Sequence, residues 1–222
     1  MRRTLLILSF FAVTSCDMKT SEDYHLEANK CEQQENYKEA IKLLDKAIEK
    51  DPTNIKALLD RAVDKSILKH YNGAISDYSR VLTIDPKNCL ALLNRGKNKN
   101  RLHKYKEAVE DYNKVIDLKG GENLVINKVE NSFVDNGFEF DVEIEEVKFE
   151  RGIANYNSNN LKAAFEDFNF SIQQNYSLSD CYYWRGLIYI SYKMTNEGCS
   201  DFRKSSELGD PDAPSLLEEY CK

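Results

Sequence analysis

Six cysteines and three histidines are the side chains best suited to covalent or acid–base chemistry in this chain of 222 residues. The thiols of Cys16, Cys31, Cys89, Cys181, Cys199 and Cys221 could close disulfides, bind zinc or act as nucleophiles. No two of them form a C-x-x-C pair, so their spacing argues against a zinc site. His25, His70 and His103 could serve as general bases, but no H-E-x-x-H, G-x-S-x-G or phosphate-binding loop accompanies them. Carboxylates are plentiful, yet they fall at ordinary helical spacing, as on solvated helix faces. No catalytic residue, metal site or cofactor is expected. One charged series is regular. Arginine stands at 61, 95, 151 and 185, and aspartate at 77, 111, 167 and 201. Such arginines could gather into an anion site, or each could hold its own carboxylate in a two-pronged pair.

The elements that would carry these residues recur with a step of 34. Tyr37, Tyr71 and Tyr105 keep it, as do Ala40, Ala74 and Ala108; Ala28, Ala62 and Gly96; and Leu44, Tyr78 and Tyr112. Asp51-Pro52 recurs as Asp85-Pro86, and Asn54 as Asn88. Ile41, Leu44 and Ile48 share one helical face, as do Ile75, Tyr78 and Leu82. Gly152 and Gly186 resume the step, with Asp167 and Asp201 and with Phe168 and Phe202. The step from Gly96 to Gly152 is 56, which places about 22 extra residues between the third and fourth units. With only four Pro and nine Gly, the composition favours long helices over a strand-and-turn fold.

A period of 34 with small, aromatic and proline residues at fixed phases resembles the tetratricopeptide repeat (TPR). The resemblance implies an all-α solenoid of about five helix-turn-helix repeats with a capping helix and an inserted loop or hairpin. Repeats 1–3 would occupy 21–122, an insertion 123–144, repeats 4–5 145–210, and the cap 211–222. In the last two, Leu161 and Thr195 replace the aromatic residue. The arginines then fall at position 7 and the aspartates at position 23 of a hairpin that turns near position 15. They should face each other, giving four structural pairs: Arg61 with Asp77, Arg95 with Asp111, Arg151 with Asp167, and Arg185 with Asp201. TPR arrays use the concave face lined by the first helix of each repeat to hold an extended peptide or a helix. By phase that face takes His25 and Asn29, then Leu59 and Val63, then Leu93, Lys97, Asn100 and Arg101, then Phe149, Ile153 and Tyr156, and finally Tyr183 and Leu187. The clamp some TPR domains close on a C-terminal carboxylate is missing, because Asp60, Val63 and Leu90 occupy its phases. The partner expected is a protein segment with an apolar anchor and some acidic character.

Residues 1–16, MRRTLLILSFFAVTSC, carry two arginines and then an apolar run from Leu5 to Val13, too short to span a bilayer. The ending Val13-Thr14-Ser15-Cys16 is similar to the lipobox of bacterial lipoproteins. That resemblance implies a signal peptide over 1–15, lipidation of Cys16, and a short lipidated tether over 16–20. An ordinary secretory signal or a buried N-terminal helix is the alternative. The resemblance places the chain in a bacterial cell envelope, with the outer membrane favoured over the inner. Net charge is −6, and loss of Arg2 and Arg3 would take it to about −8. Such acidity suits nucleic acid poorly as a partner.

An exported chain meets an oxidising compartment. Cys199 and Cys221 lie about equally far from a turn near 209–211, so antiparallel helices would set them side by side, as a disulfide or as two core thiols. Cys31, Cys89 and Cys181 are expected to stay outside any disulfide. Asp212 reads as the N-cap of the cap helix, with Leu216, Leu217 and Tyr220 covering the last open face. Asn136-Gly137 signals a turn in the insertion, which would be a partner-specific arm or a neutral insertion. Three functions compete: an envelope-anchored scaffold, an assembly factor for an envelope complex, and an envelope enzyme or glycan-binding module.

Overall fold

The computed structural model describes residues 18–120 and 142–222. The proposed signal, Cys16 and the Asn136-Gly137 turn lie outside them.

Among the described residues eleven helices form five antiparallel hairpins and a cap: α1 (Ser21–Glu32) with α2 (Tyr37–Lys50), α3 (Ile55–Ile67) with α4 (Tyr71–Ile84), α5 (Cys89–Arg101) with α6 (Tyr105–Leu118), α7 (Ile144–Asn157) with α8 (Leu161–Gln173), α9 (Leu178–Ser191) with α10 (Thr195–Glu207), and α11 (Ala213–Tyr220). Each helix packs on the one before and the one after it. The first helices of neighbouring hairpins also touch, α5 with α7 and α7 with α9, so the stack closes toward the first-helix side.

The caps set each helix in register. Thr20 and Asp23 form a reciprocal capping box on α1. Asn54 Oδ1 accepts from Ala57 N–H, and Asn88 Oδ1 from Ala91 N–H, opening α3 and α5. Pro52 and Pro86 follow α2 and α4, where a residue without a backbone N–H cannot continue the helix. Inside each hairpin the turn passes through a left-handed residue: Glu35, Lys69, His103, Asn159 and Lys193, with φ between 57° and 63°. None is glycine; each turn is closed by a backbone bond from the next residue to a carbonyl five residues back, as from Asn36 N–H to Cys31 at 2.8 Å and from Lys104 N–H to Lys99 at 2.9 Å, and the helices packed on either side support it.

That packing joins a small residue on the first helix to a large one on the second. Tyr78, Tyr112, Phe168 and Phe202 are wholly buried. A Cβ on Gly96 would come within 2.5 Å of the Tyr112 ring, and one on Gly152 within 2.8 Å of Phe168. The aromatic ring occupies the volume a side chain would need, so glycine here reports close approach.

Three expectations are corrected. Helix α7 starts at Ile144, within the segment assigned to the insertion, and Val142 and Ile144 are buried in the core around Leu92 and Tyr112. Two apolar side chains beside the third hairpin gain more from burial than from a loop. Asp212 occupies the N-cap position of α11, but its side chain makes no capping bond; Asp210 Oδ1 instead accepts from the backbone N–H of Asp212 and Ala213. Tyr220 does not seal the end, being 38% exposed, and of the cap helix only Ala213 is buried. A disulfide joins Cys199 to Cys221, with Cα atoms 5.7 Å apart, and ties α11 to α10.

Candidate interaction groove

A polar ladder locks the hairpins together. In each of the last four, the arginine of the first helix grips the aspartate of the second with two parallel bonds. Arg61 Nε donates to Asp77 Oδ2 at 2.9 Å and Nη2 to Oδ1 at 2.5 Å. The corresponding distances are 2.9 and 2.6 Å for Arg95 with Asp111, 3.0 and 2.7 Å for Arg151 with Asp167, and 2.7 and 2.8 Å for Arg185 with Asp201. The aspartates are 2–4% exposed. The third prong crosses to the preceding hairpin, where Nη1 donates to Asp45, Ser79, Asn113 and Asn169 in turn. These acceptors obey the same steps of 34 and 56, so the sequence held their signal, although pairing inside one hairpin did not reveal it. With these acceptors engaged, the arginines serve the stack.

The open surface lies on the other side. One hollow of about 510 Å³ runs between α3 and α5, lined by Val63, Ser66, Ile67, Asn94, Lys97 and Arg101 among others. A second of about 550 Å³ follows between α5, α7 and α9, lined by Asn100, Tyr105, Phe149, Ile153 and Trp184 with the same Lys97 and Arg101. The shared residues make the two hollows one groove along the first helices. Val63 and Ile67 are 39% and 48% exposed on its floor. Trp184 closes its far end, edge-on to Tyr156 at 5.0 Å and stacked on Phe168 at 6.3 Å. Lys97 Nζ bonds to Glu146 Oε1 and lies 3.7 Å from Glu150 Oε1. Burial pushes the Glu150 carboxyl up, opposed by Lys97.

Residues 21–54 match the tetratricopeptide repeat family. Among solved structures, MamA from Desulfovibrio magneticus RS-1 is 14% identical, with a TM-score of 0.70 over 85% of this chain and 94% of that one. YrrB, described as a TPR protein with an unusual peptide-binding site, is 17% identical with a TM-score of 0.68 over 90% and 91%. PilW, described as a widely conserved type IV pilus biogenesis factor, is 16% identical with a TM-score of 0.65 over 90% of each chain. No curated protein matches the sequence.

The fold is a TPR solenoid.

Its inner face holds most of the positions chosen by phase, but not all. Leu59 and Leu93 are corrections: they are 4% and 2% exposed and belong to the core. At that position of the TPR hairpin the side chain points into the neighbouring helix, and burying a leucine there outweighs showing it to a partner. Tyr183 packs against Phe202 with ring centroids 6.5 Å apart. Asn100 Nδ2 donates to Tyr112 Oη at 3.1 Å and to the Glu150 carbonyl at 3.4 Å, which ties it to the scaffold. The basic character expected around Lys97 is largely spent on Glu146 and Glu150, whereas Arg101 stays exposed at the rim. Phase alone missed Trp184, Tyr105 and Ile67. The signal for Trp184 was its being the one tryptophan in the chain.

Beyond the α3 end of the groove, between α1 and α3, acids gather. His25 Nε2 lies 2.6 Å from Asp60 Oδ2. Asp64 is 2% exposed; burial first, then the charges of Glu32 and Asp60, push its carboxyl up to about 7. Burial and the Asp60 charge push the Glu32 carboxyl up as well, opposed by His25. His25 Nδ1, Asn29 Oδ1, Glu32 Oε1 and Asp64 Oδ2 are all shielded from solvent and find no hydrogen-bond partner among the described residues.

Proposed function

We propose that the chain is a scaffold that holds a protein segment, extended or helical, in the inner groove, and that a lipid on Cys16 tethers it to a membrane of the bacterial cell envelope. The observation that carries the reading is the continuous groove over α3, α5, α7 and α9, with exposed apolar side chains on its floor and an aromatic wall at Phe149 and Trp184. An aromatic wall gives an apolar anchor a large contact area, and the polar rim orients it. YrrB, of the same fold, is described as having a peptide-binding site. The tether rests on the lipobox resemblance, and two acyl chains give stable anchoring where one does not. The proposal includes no catalytic step.

A photo-activatable residue at Ile153, introduced into the full chain in membranes, should cross-link partner proteins, and Trp184→Ala should reduce their yield. Unchanged capture would remove the groove from the reading. Labelled palmitate should enter the wild type and not Cys16→Ser; equal labelling would remove the anchor. An assembly role is the second reading, since PilW, described as a biogenesis factor, shares the fold. It predicts that the cross-linked proteins are subunits of one envelope complex.

A further inference from the structure

The first junction of the solenoid differs from the others in a way that names a ligand. We infer that the acid cluster between α1 and α3 receives the ammonium or guanidinium of a lysine or arginine carried by the bound segment. This rests on the groove reading above and adds the charge that one end of the segment must carry.

Four shielded polar atoms on the neighbouring helices α1 and α3 lack partners among the described residues: His25 Nδ1, Asn29 Oδ1, Glu32 Oε1 and Asp64 Oδ2. With His25 donating from Nε2 to Asp60, its Nδ1 is also an acceptor. A proton kept by Asp64 can serve at most one of the other acceptors, so the rest leave a debt that a cation with several N–H groups can meet. Asp64 is almost wholly inside, and no lysine or arginine acts on it strongly enough to oppose Glu32 and Asp60.

The molecule then supplies its own controls. Between α5 and α7 the acid at repeat position 6 is Glu150, and Lys97 at position 9 of the preceding hairpin reaches it and Glu146. Between α1 and α3 the acid at position 6 is Asp60, but position 9 of the preceding hairpin is Asn29. The acid is kept, and the position that holds the lysine is taken by a neutral asparagine. Between α3 and α5, Ser66 at position 12 donates to Asn98 at position 10 of the next hairpin at 2.9 Å, closing that junction without charge. The same two positions at the first junction hold Glu32 and Asp64, two carboxyls. Among the described residues no three of His, Cys, Asp and Glu are gathered closely enough to hold a metal ion. A guanidinium spreads its five N–H donors over a wider span than a metal ion and suits that spacing better than a compact ammonium. Asp60 opens the cluster to solvent, its side chain being 37% exposed, and it stands one turn along α3 from Val63, which lines the first hollow.

The full chain in detergent is used to select binders from a random library of displayed 12-residue peptides. Selected peptides should carry a lysine or arginine at a fixed distance from an aromatic or large apolar residue. For one such synthetic peptide, replacing the basic residue by norleucine should weaken binding about tenfold or more. Glu32→Gln, Asp60→Asn or Asn29→Lys in the protein should cost the same and leave the norleucine peptide unaffected. Asn29→Lys supplies the cation from within, as Lys97 does, and should also raise the melting temperature. Peptides that bind through Trp184 without a basic requirement would overturn the inference and leave the groove standing. No bound peptide at all would overturn both. Stabilisation by calcium chloride, lost in Asn29→Lys, would assign the cluster to a metal ion and overturn the inference too.

Discussion

The ladder side and the groove side of this solenoid use charge in opposite ways. Along the ladder, four arginines meet four buried aspartates in one repeated geometry, and each arginine reaches back to the preceding hairpin. Along the groove the first three junctions differ: buried acids with open acceptor atoms between α1 and α3, a neutral Ser66–Asn98 bond between α3 and α5, and a filled ion pair between α5 and α7. The ladder must repeat because every hairpin stacks by the same contacts. The groove is free to differ because its side chains hold up only what lies beside them. Repetition therefore marks architecture here, and departure from it marks recognition.

The ladder is broken most severely by Asp111→Ala. It strands Arg95 and Lys99, both now paired to a carboxylate 2% exposed, and should cost about 3–5 kcal/mol in urea unfolding. A loss under about 1 kcal/mol would mean that the pair sets register without carrying stability. Gly152→Ala tests the other repeated contact. Its methyl group meets Phe168 and should cost about 1–3 kcal/mol.

The groove side is sharpened by pH. With the Asp64 carboxyl raised to about 7, the folded chain keeps a proton that the unfolded chain releases near 4. The contribution of this group to stability is therefore whole below about pH 4 and declines as pH rises through 7, by on the order of 2 kcal/mol. Asp64→Asn should flatten that decline, seen as converging melting temperatures of variant and wild type at pH 4.5 and a more stable variant at pH 8. Parallel curves would detach Asp64 from the effect. The smallest effect on stability belongs to Arg101→Ala, within about 0.5 kcal/mol because the side chain is exposed at the rim. It should nevertheless lower partner capture in the cross-linking assay, which a ladder arginine could not do without unfolding the chain.

Reading the repeats from the sequence was possible because each rests on a contact that recurs at a fixed interval. Gly96, Gly152 and Gly186 lie opposite Tyr112, Phe168 and Phe202, and the interval alone locates all three. The start of α7 was less legible. Val142 and Ile144 follow a stretch whose length breaks the period, and only their burial against the third hairpin assigns them. The N-cap position of α11 was legible as Asp212, but that Asp210 supplies the capping bonds depends on the path of the chain into the helix. Lys97 was legible as an inner-face residue. That it spends its charge on Glu146 and Glu150 depends on how far one hairpin is turned against the next.

By itself the sequence determined the helices, their pairing into hairpins, and the opposition of Arg61, Arg95, Arg151 and Arg185 to their aspartates, because contacts within one hairpin follow from spacing along a helix of known pitch. The tertiary structure alone decided which inner-face side chains remain open, that Leu59 and Leu93 are consumed by the core, and that Asp64 is left facing Glu32. Those outcomes depend on the rotation between successive hairpins, a quantity summed over many small packing contacts and written at no single position.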